Sequence, residues 1–251
     1  MIGVFGGSGF YEFLEGSRPA PVVTPYGSPS ETPVIGSVGG IDLAFIPRHG
    51  RNHQYPPHLV PYRANVWAMR LLGVDRIISP SAVGSLKAEW APGHFAVPDQ
   101  LVDRTQGRAA TFFDGPEVRH MSFADPYEPT MRAIAVEGMR STGATVHDGG
   151  TLVVIQGPRF STRAESASYA SAGWQLINMT QMPEAVLAAE AGICFVNISV
   201  ITDYDVGVGG AAPVTHAEVL RRFAEAVGTL KQGIASMLPG IQAAELRCPE
   251  P

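Results

Sequence analysis

Three stretches in the second half of this chain change character abruptly, from an apolar, β-branched run to a knot of polar residues. Leu152-Val153-Val154-Ile155 gives way to Gln156-Gly157-Pro158-Arg159-Phe160-Ser161, Leu176-Ile177 to Asn178-Met179-Thr180, and the run from Ile193 to Ile201 to Thr202-Asp203-Tyr204-Asp205. Val/Ile runs without polar alternation suit strands of a largely parallel sheet covered on both faces. Open α/β sheets bind ligands outside the carboxyl ends of their strands, so the polar knots fall where ligands bind.

The rest of the pattern agrees. Ile2 to Phe5 reads as a first strand, Val34 to Val38 and Leu43 to Ile46 as a hairpin around Gly39-Gly40, and Arg76 to Ser79 as another core strand. Phe95-Ala96-Val97 is a short strand that Pro98 confines to an edge or ends. Helices are expected at Tyr62 to Leu72, Pro129 to Ser141, Arg163 to Ser171, Pro183 to Ala191 and His216 to Leu238. The last shows apolar residues at three- and four-residue steps, from Val219 and Leu220 to Met237 and Leu238, and Pro239-Gly240 is expected to stop it. Asp103 to Tyr127 is polar and irregular, a long loop of the kind that carries function or is pinned by a partner subunit. No repeat or linker interrupts the chain. Residues 1–251 read as a single α/β domain with a central mixed, mostly parallel sheet flanked by helices.

An apolar content of 45% with 16% charged residues suits a compact core, and a net charge of −5 argues against a nucleic-acid or anionic-membrane surface. Any anionic ligand must be captured locally. The two cysteines, Cys194 in an apolar strand and Cys248 near the end, are expected to stay unpaired in a reducing cytoplasmic setting. The chain opens on Met1-Ile2-Gly3-Val4 without a basic leader, and no apolar stretch approaches membrane-spanning length.

Several residues have chemistry to offer. Gly6-Gly7-Ser8-Gly9 follows the first strand and presents unobstructed backbone N–H groups to a phosphate, with a ligand-free glycine turn as the competing reading. A dinucleotide fingerprint is excluded by Glu12, which stands where the third glycine belongs. Pro47-Arg48-His49-Gly50 places a guanidinium beside an imidazole at a strand end, and Arg can engage two oxygens of an oxyanion at once. Ser81 to Leu86 offers small residues and hydroxyls for a second anion loop, or an ordinary turn. Asp203 ends a buried strand, where desolvation raises a carboxyl's pKa toward neutrality; as a turn residue it needs no such role.

Gly157-Pro158-Arg159-Phe160-Ser161-Thr162-Arg163-Ala164-Glu165-Ser166, then Asn178-Met179-Thr180 with Pro183-Glu184, then Thr202-Asp203-Tyr204-Asp205 resembles the 5'-methylthioadenosine phosphorylase branch of the trimeric purine nucleoside phosphorylases. The likeness runs in unbroken order from Gly3 to about Leu230. It implies phosphate contacts from Ser8, Arg48, His49, Ser81, Ala82 and Thr180, base contacts from Phe160 and Ser161, and ribose contacts from Asn178 and Met179. Asp203, protonated, would donate to purine N7 while accepting from a 6-amino group, with Asp205 at the same end. The 6-oxopurine enzymes carry Asn in place of Asp203, so the resemblance implies 6-aminopurine selectivity.

Val219 and Leu220 match an apolar 5' pocket, and His120 matches a residue contributed by a neighbouring subunit. His216 departs from the branch, which has a small apolar residue there; a His better suits a polar 5' group. The implied reaction is phosphorolysis of 5'-methylthioadenosine to adenine and 5-methylthioribose 1-phosphate by a homotrimer. Inorganic phosphate is the co-substrate, and neither metal nor organic cofactor is expected. A water-using nucleosidase, a non-catalytic nucleoside sensor and a 6-oxopurine phosphorylase are the alternatives.

Overall fold

The computed structural model describes residues 1–6, 13–210 and 213–249, and within them the strands are β1 (Ile2–Gly6), β2 (Glu15–Pro19), β3 (Val34–Val38), β4 (Ile41–Pro47), β5 (Arg76–Ser85), β6 (Phe95–Val97), β7 (Gln100–Arg104), β8 (Val146–Asp148), β9 (Thr151–Ile155), β10 (Leu176–Asn178) and β11 (Cys194–Tyr204). The helices are α1 (Tyr62–Leu71), α2 (Pro129–Arg140), α3 (Arg163–Ser171), α4 (Gln181–Glu190) and α5 (His216–Ala243). The strands join one mixed, mostly parallel sheet in the order β2-β3-β4-β1-β5-β10-β9-β7, with β11 against β5 and β6, and β8 beyond β6. Gly39 and Gly40, at φ 56° and 79°, make the tight left-handed turn that joins β3 to β4.

β5 organises the site. β11 lies parallel to it from Arg76 to Ser85, so β1 and β10 share its other edge. β1 takes Arg76 to Ile78 and β10 takes Gly84 and Ser85 in the opposite sense. The sheet forks there, and the stretch Ser79 to Val83 has no strand on that edge. A fork of this kind leaves a crevice beside strand carboxyl ends, the usual ligand position of α/β sheets.

The structure corrects the sequence expectations at three points and decides a fourth. Ser81 to Ser85 is a continuation of β5, not a loop, because β11 supplies ladder partners along its whole length. Of the two outcomes expected at Pro98 the structure takes the second: β6 pairs with both β11 and β8, and the strand ends before the proline. α5 runs through Pro239-Gly240 to Ala243. Ile241 is fully buried and Arg76 donates to its carbonyl at 2.5 Å, so packing holds a last turn that the proline weakens. Finally, Cys194 and Cys248 form a disulfide. The segment after α5 folds back beside the start of β11, a proximity that 54 residues of separation hide in the sequence.

Helices cover both faces. Ile234, Met237 and Leu238 of α5 and Met131, Val136 and Met139 of α2 bury one face, with Val196, Ile198 and Val200 of β11. Ala185, Leu187 and Ala188 of α4 pack with Val66 and Met69 of α1 on the other. No helix among the described residues is long and apolar enough to cross a membrane.

Candidate active site

A cavity of about 590 Å³ opens where the sheet forks. Pro80, Ser81, Ala82 and Val83 of the unpaired β5 edge form its floor. Arg48 and His49 reach it from the end of β4, Asn178, Met179 and Thr180 from the end of β10, and Asp203 and Asp205 from the end of β11. Phe160 and Ser161 line it from the segment after β9, and His216, Val219 and Leu220 from the start of α5. The polar knots thus converge, as the strand-end rule requires.

His120 is the exception within the described chain. It lies in an exposed segment of the long loop and does not line the cavity of its own chain. Ser8 lies outside the described residues.

At one end of the cavity a buried guanidinium stands among hydroxyl groups. Arg48 is buried, and Glu184 of α4 grips it in two places, Nε to Oε1 at 2.7 Å and Nη2 to Oε2 at 2.9 Å. Arg48 also donates to Ser79 Oγ at 2.7 Å and to the Pro80 carbonyl at 3.2 Å. Those bonds occupy four of the five guanidinium N–H groups, leaving one Nη1–H. Burial works against the charge of Arg48, but Glu184 more than offsets it and the pKa lies above the ordinary arginine value.

Ser81 is polarised by its neighbours. Its Oγ accepts from Asn197 Nδ2 at 2.9 Å and from Asn178 Nδ2 at 3.3 Å. Both amides are oriented independently: Asn197 Oδ1 accepts from Ser199, and Asn178 Oδ1 from the Thr180 N–H. With its acceptor positions taken, the Ser81 hydroxyl is left to donate. Thr180 stands at the N-cap of α4, yet its side chain makes no capping bond.

His49 donates Nδ1–H to the Tyr55 carbonyl at 2.8 Å. Burial, reinforced by the Arg48 charge, drives its pKa down to about 3, so the ring is neutral. It stacks on His53, ring centres 4.5 Å apart, and His53 faces His216 at 5.9 Å. Burial and the neighbouring His216 lower the pKa of His53 as well.

The opposite end carries the carboxyls. β11 breaks register with β5 between Ile201 and Asp203, so that Asp203 stands opposite Gly84. The approach is close: a Cβ on Gly84 would lie 2.9 Å from Asp203 Oδ1 and 3.5 Å from the Asp205 Cβ, which places both acids over the same backbone. Burial raises the pKa of Asp203 to about 6, against a hydrogen bond from Thr202 Oγ1 at 2.7 Å that holds it down. Burial also raises that of Asp205. Asp203 can therefore hold a proton near neutral pH and give it to a leaving group.

Gly157, at φ 60°, passes so near Met179 that a Cβ would lie 2.5 Å from its sulfur. The thioether is held between the β9 and β10 ends, along the wall that joins acid to anion site.

Three contributors had no assigned role from the sequence. Glu184 orients Arg48; a carboxylate in a helix as apolar as α4 is the signal, because a buried charge needs a partner. His53 pairs with His216 only through a left-handed turn at φ 53°. Arg108, from the long loop, donates to the carbonyls of Gln156 at 2.7 Å, Met179 at 2.8 Å and Met182 at 2.5 Å. It ties together two of the three polar knots, and nothing local in the sequence distinguishes it from any other loop arginine.

A mixed α/β sheet whose fork gathers a buried arginine, hydroxyls and a protonatable carboxyl into one cavity suits group transfer with an acid on the leaving group. The chain belongs to the phosphorylase superfamily, whose model matches residues 1–239. It is 55% identical over 233 residues to an S-methyl-5'-thioadenosine phosphorylase of Mycobacterium tuberculosis, covering 92% of this chain and 86% of that one. It is 47% identical over 257 residues to a purine nucleoside phosphorylase of Streptomyces coelicolor, covering 99% and 92%. Its fold matches the crystal structure of a methylthioadenosine phosphorylase from an antarctic soil metagenomic library with a TM-score of 0.92 at 37% identity, over 98% of this chain and 88% of that chain.

Proposed function

We propose that this enzyme is a phosphorylase of 6-aminopurine nucleosides and that it converts 5'-methylthioadenosine and phosphate to adenine and 5-methylthioribose 1-phosphate. The observation that carries the reading is Asp203, its pKa raised to about 6 at one end of a cavity whose other end presents Arg48, Ser81 and Thr180. Asp203 donates its proton toward N7 as the C1'–N9 bond stretches, and its other oxygen accepts from the 6-amino group. Phosphate, held by Arg48, His49, Ser81, Ala82, Thr180 and Ser8, meets the oxocarbenium-like carbon from the opposite side. Electrostatic positioning of nucleophile and leaving group is the largest resource such a site has.

Phe160 and Ser161 serve the base in this reading, Asn178 and Met179 the ribose, and Val219 and Leu220 the 5' group. Leu220 is 49% exposed and His216 sits beside it, so the 5' end of the cavity lies open in one chain. A homotrimer in which His120 of a neighbour completes the pocket is part of this reading. The same reading includes a cytoplasmic location, a place in purine and methionine salvage, and chemistry without metal or organic cofactor.

His216 favours a second, broader reading, in which adenosine is accepted beside the methylthio compound, because its imidazole can hydrogen-bond a 5'-hydroxyl. Free-base release from methylthioadenosine, adenosine and inosine, with and without phosphate, tests both. The proposal expects phosphate-dependent adenine release and inert inosine. Phosphate-independent release would make the enzyme a hydrolase, and no release would make it a sensor.

A further inference from the structure

We propose that His49 is the specificity-determining residue of the phosphate site: an obligatory hydrogen-bond acceptor that admits tetrahedral oxyanions carrying a proton and discriminates against those without one. The inference rests on the phosphate reading above and goes beyond it by naming the protonation state of the anion.

The tautomer is fixed by the backbone. A carbonyl can only accept, so the 2.8 Å contact between Nδ1 and the Tyr55 oxygen requires the ring proton to sit on Nδ1. The ring is neutral because burial and the Arg48 charge both oppose a second proton. Nε2 then carries a lone pair and no hydrogen. One face of the imidazole is covered by His53 at 4.5 Å, so Nε2 is the polar atom that His49 has left for a ligand in the cavity it lines.

The surrounding groups complement this acceptor. Arg48 has one remaining Nη1–H, the Ser81 hydroxyl has its acceptor positions filled and donates, and the Thr180 hydroxyl is not used for capping. Among these four side chains three donate and one accepts, which suits the bare oxygens and the one P–OH of hydrogen phosphate. Sulfate and monofluorophosphate carry the same double negative charge but no proton, and would set a lone pair against the Nε2 lone pair. A buried acceptor left unpaired in this way weakens binding by roughly tenfold or more.

Isothermal titration calorimetry in mildly alkaline buffer, where all three anions are dianions, measures phosphate, sulfate and monofluorophosphate on the unmutated enzyme. The expected result is phosphate binding about tenfold or more tighter than either aprotic anion. In His49→Asn, whose amide can still donate to Tyr55 but which lacks the Nε2 end, the three should bind alike. Equal affinity for the three anions in the wild type would overturn the proposal, and the wild-type series decides this even if the variant does not fold. Binding of none of them, with base release indifferent to phosphate, would instead remove the phosphate reading and this inference with it.

Discussion

Glu184 holds Arg48 by two nearly parallel contacts of 2.7 and 2.9 Å, and both side chains are buried. The carboxylate neutralises the guanidinium and fixes its plane, so the remaining Nη1–H has a set direction. Glu184→Gln would leave a buried cation without its counter-charge. Losing one partner of a buried pair costs about 3–5 kcal/mol. The expected outcome is a lower unfolding free energy by that order and a raised KM for phosphate, with the nucleoside KM changed less. Denaturant unfolding and initial rates at varied phosphate check this, and an unaltered phosphate KM in a folded variant would dissociate Arg48 from the anion.

Asp203→Asn separates base recognition from the rest of the machinery. An amide cannot deliver the proton, and losing a general acid lowers rates about 10²- to 10⁴-fold. Turnover of 6-amino substrates should fall by that order, while inosine, inert in the wild type, loses nothing or gains turnover. In the wild type, kcat/KM should decline as pH rises above about 6, when the free enzyme loses the Asp203 proton. A profile flat through neutral pH would remove Asp203 as the acid.

The same carboxyl makes a stability prediction. Its folded pKa of about 6 stands above the ordinary value of 3.8, so its effect is absent below the unfolded pKa, and stability is lost as pH rises through the folded one. The loss is on the order of 2–3 kcal/mol. Asp203→Asn should therefore unfold at higher temperature than the wild type in neutral buffer, with the difference vanishing near the unfolded pKa. Melting temperatures across that range test it.

Much of this site was legible in the sequence for one physical reason. A buried parallel strand must be continuously apolar and its end must not be, so the runs into Gln156, Asn178 and Thr202 marked the cavity before any contact was known. Local stop signals failed where tertiary packing overrode them. Pro239 lies inside α5 because Ile241 is buried and Arg76 takes up its carbonyl, and Ser81 extends β5 because β11 pairs along it. Pairings distant in sequence left no local trace: Cys194 with Cys248, and Arg108 with four carbonyls. Glu184 was visible as part of a motif, but its service to Arg48 across 136 residues was not.

Arg108→Lys tests the carbonyl clasp. A planar guanidinium reaches Gln156, Met179 and Met182 together, whereas an ammonium acts as a compact point charge. The expectation is a nucleoside KM raised by roughly tenfold, as the ribose wall loses its fixed position, with phosphate binding unaffected. Phosphate titration and nucleoside kinetics distinguish this from general unfolding, which would weaken both.

On the proposed reading, His216 biases the choice of 5' substituent. It begins α5 at the open end of the cavity, 5.9 Å from His53, beside the apolar Val219 and Leu220. An imidazole paired with a 5'-hydroxyl gains a hydrogen bond, whereas against a methylthio group it is desolvated without return. A hydrogen bond of this kind contributes about 0.5–1.5 kcal/mol, enough for a severalfold change in preference. His216→Val should therefore raise kcat/KM for methylthioadenosine relative to adenosine by roughly three- to tenfold, mostly by weakening adenosine. His53→Ala should move the ratio in the same direction but less, because it removes the ring facing His216 and leaves His216 itself in place. An unchanged ratio in both variants would assign the 5' preference to the apolar wall alone.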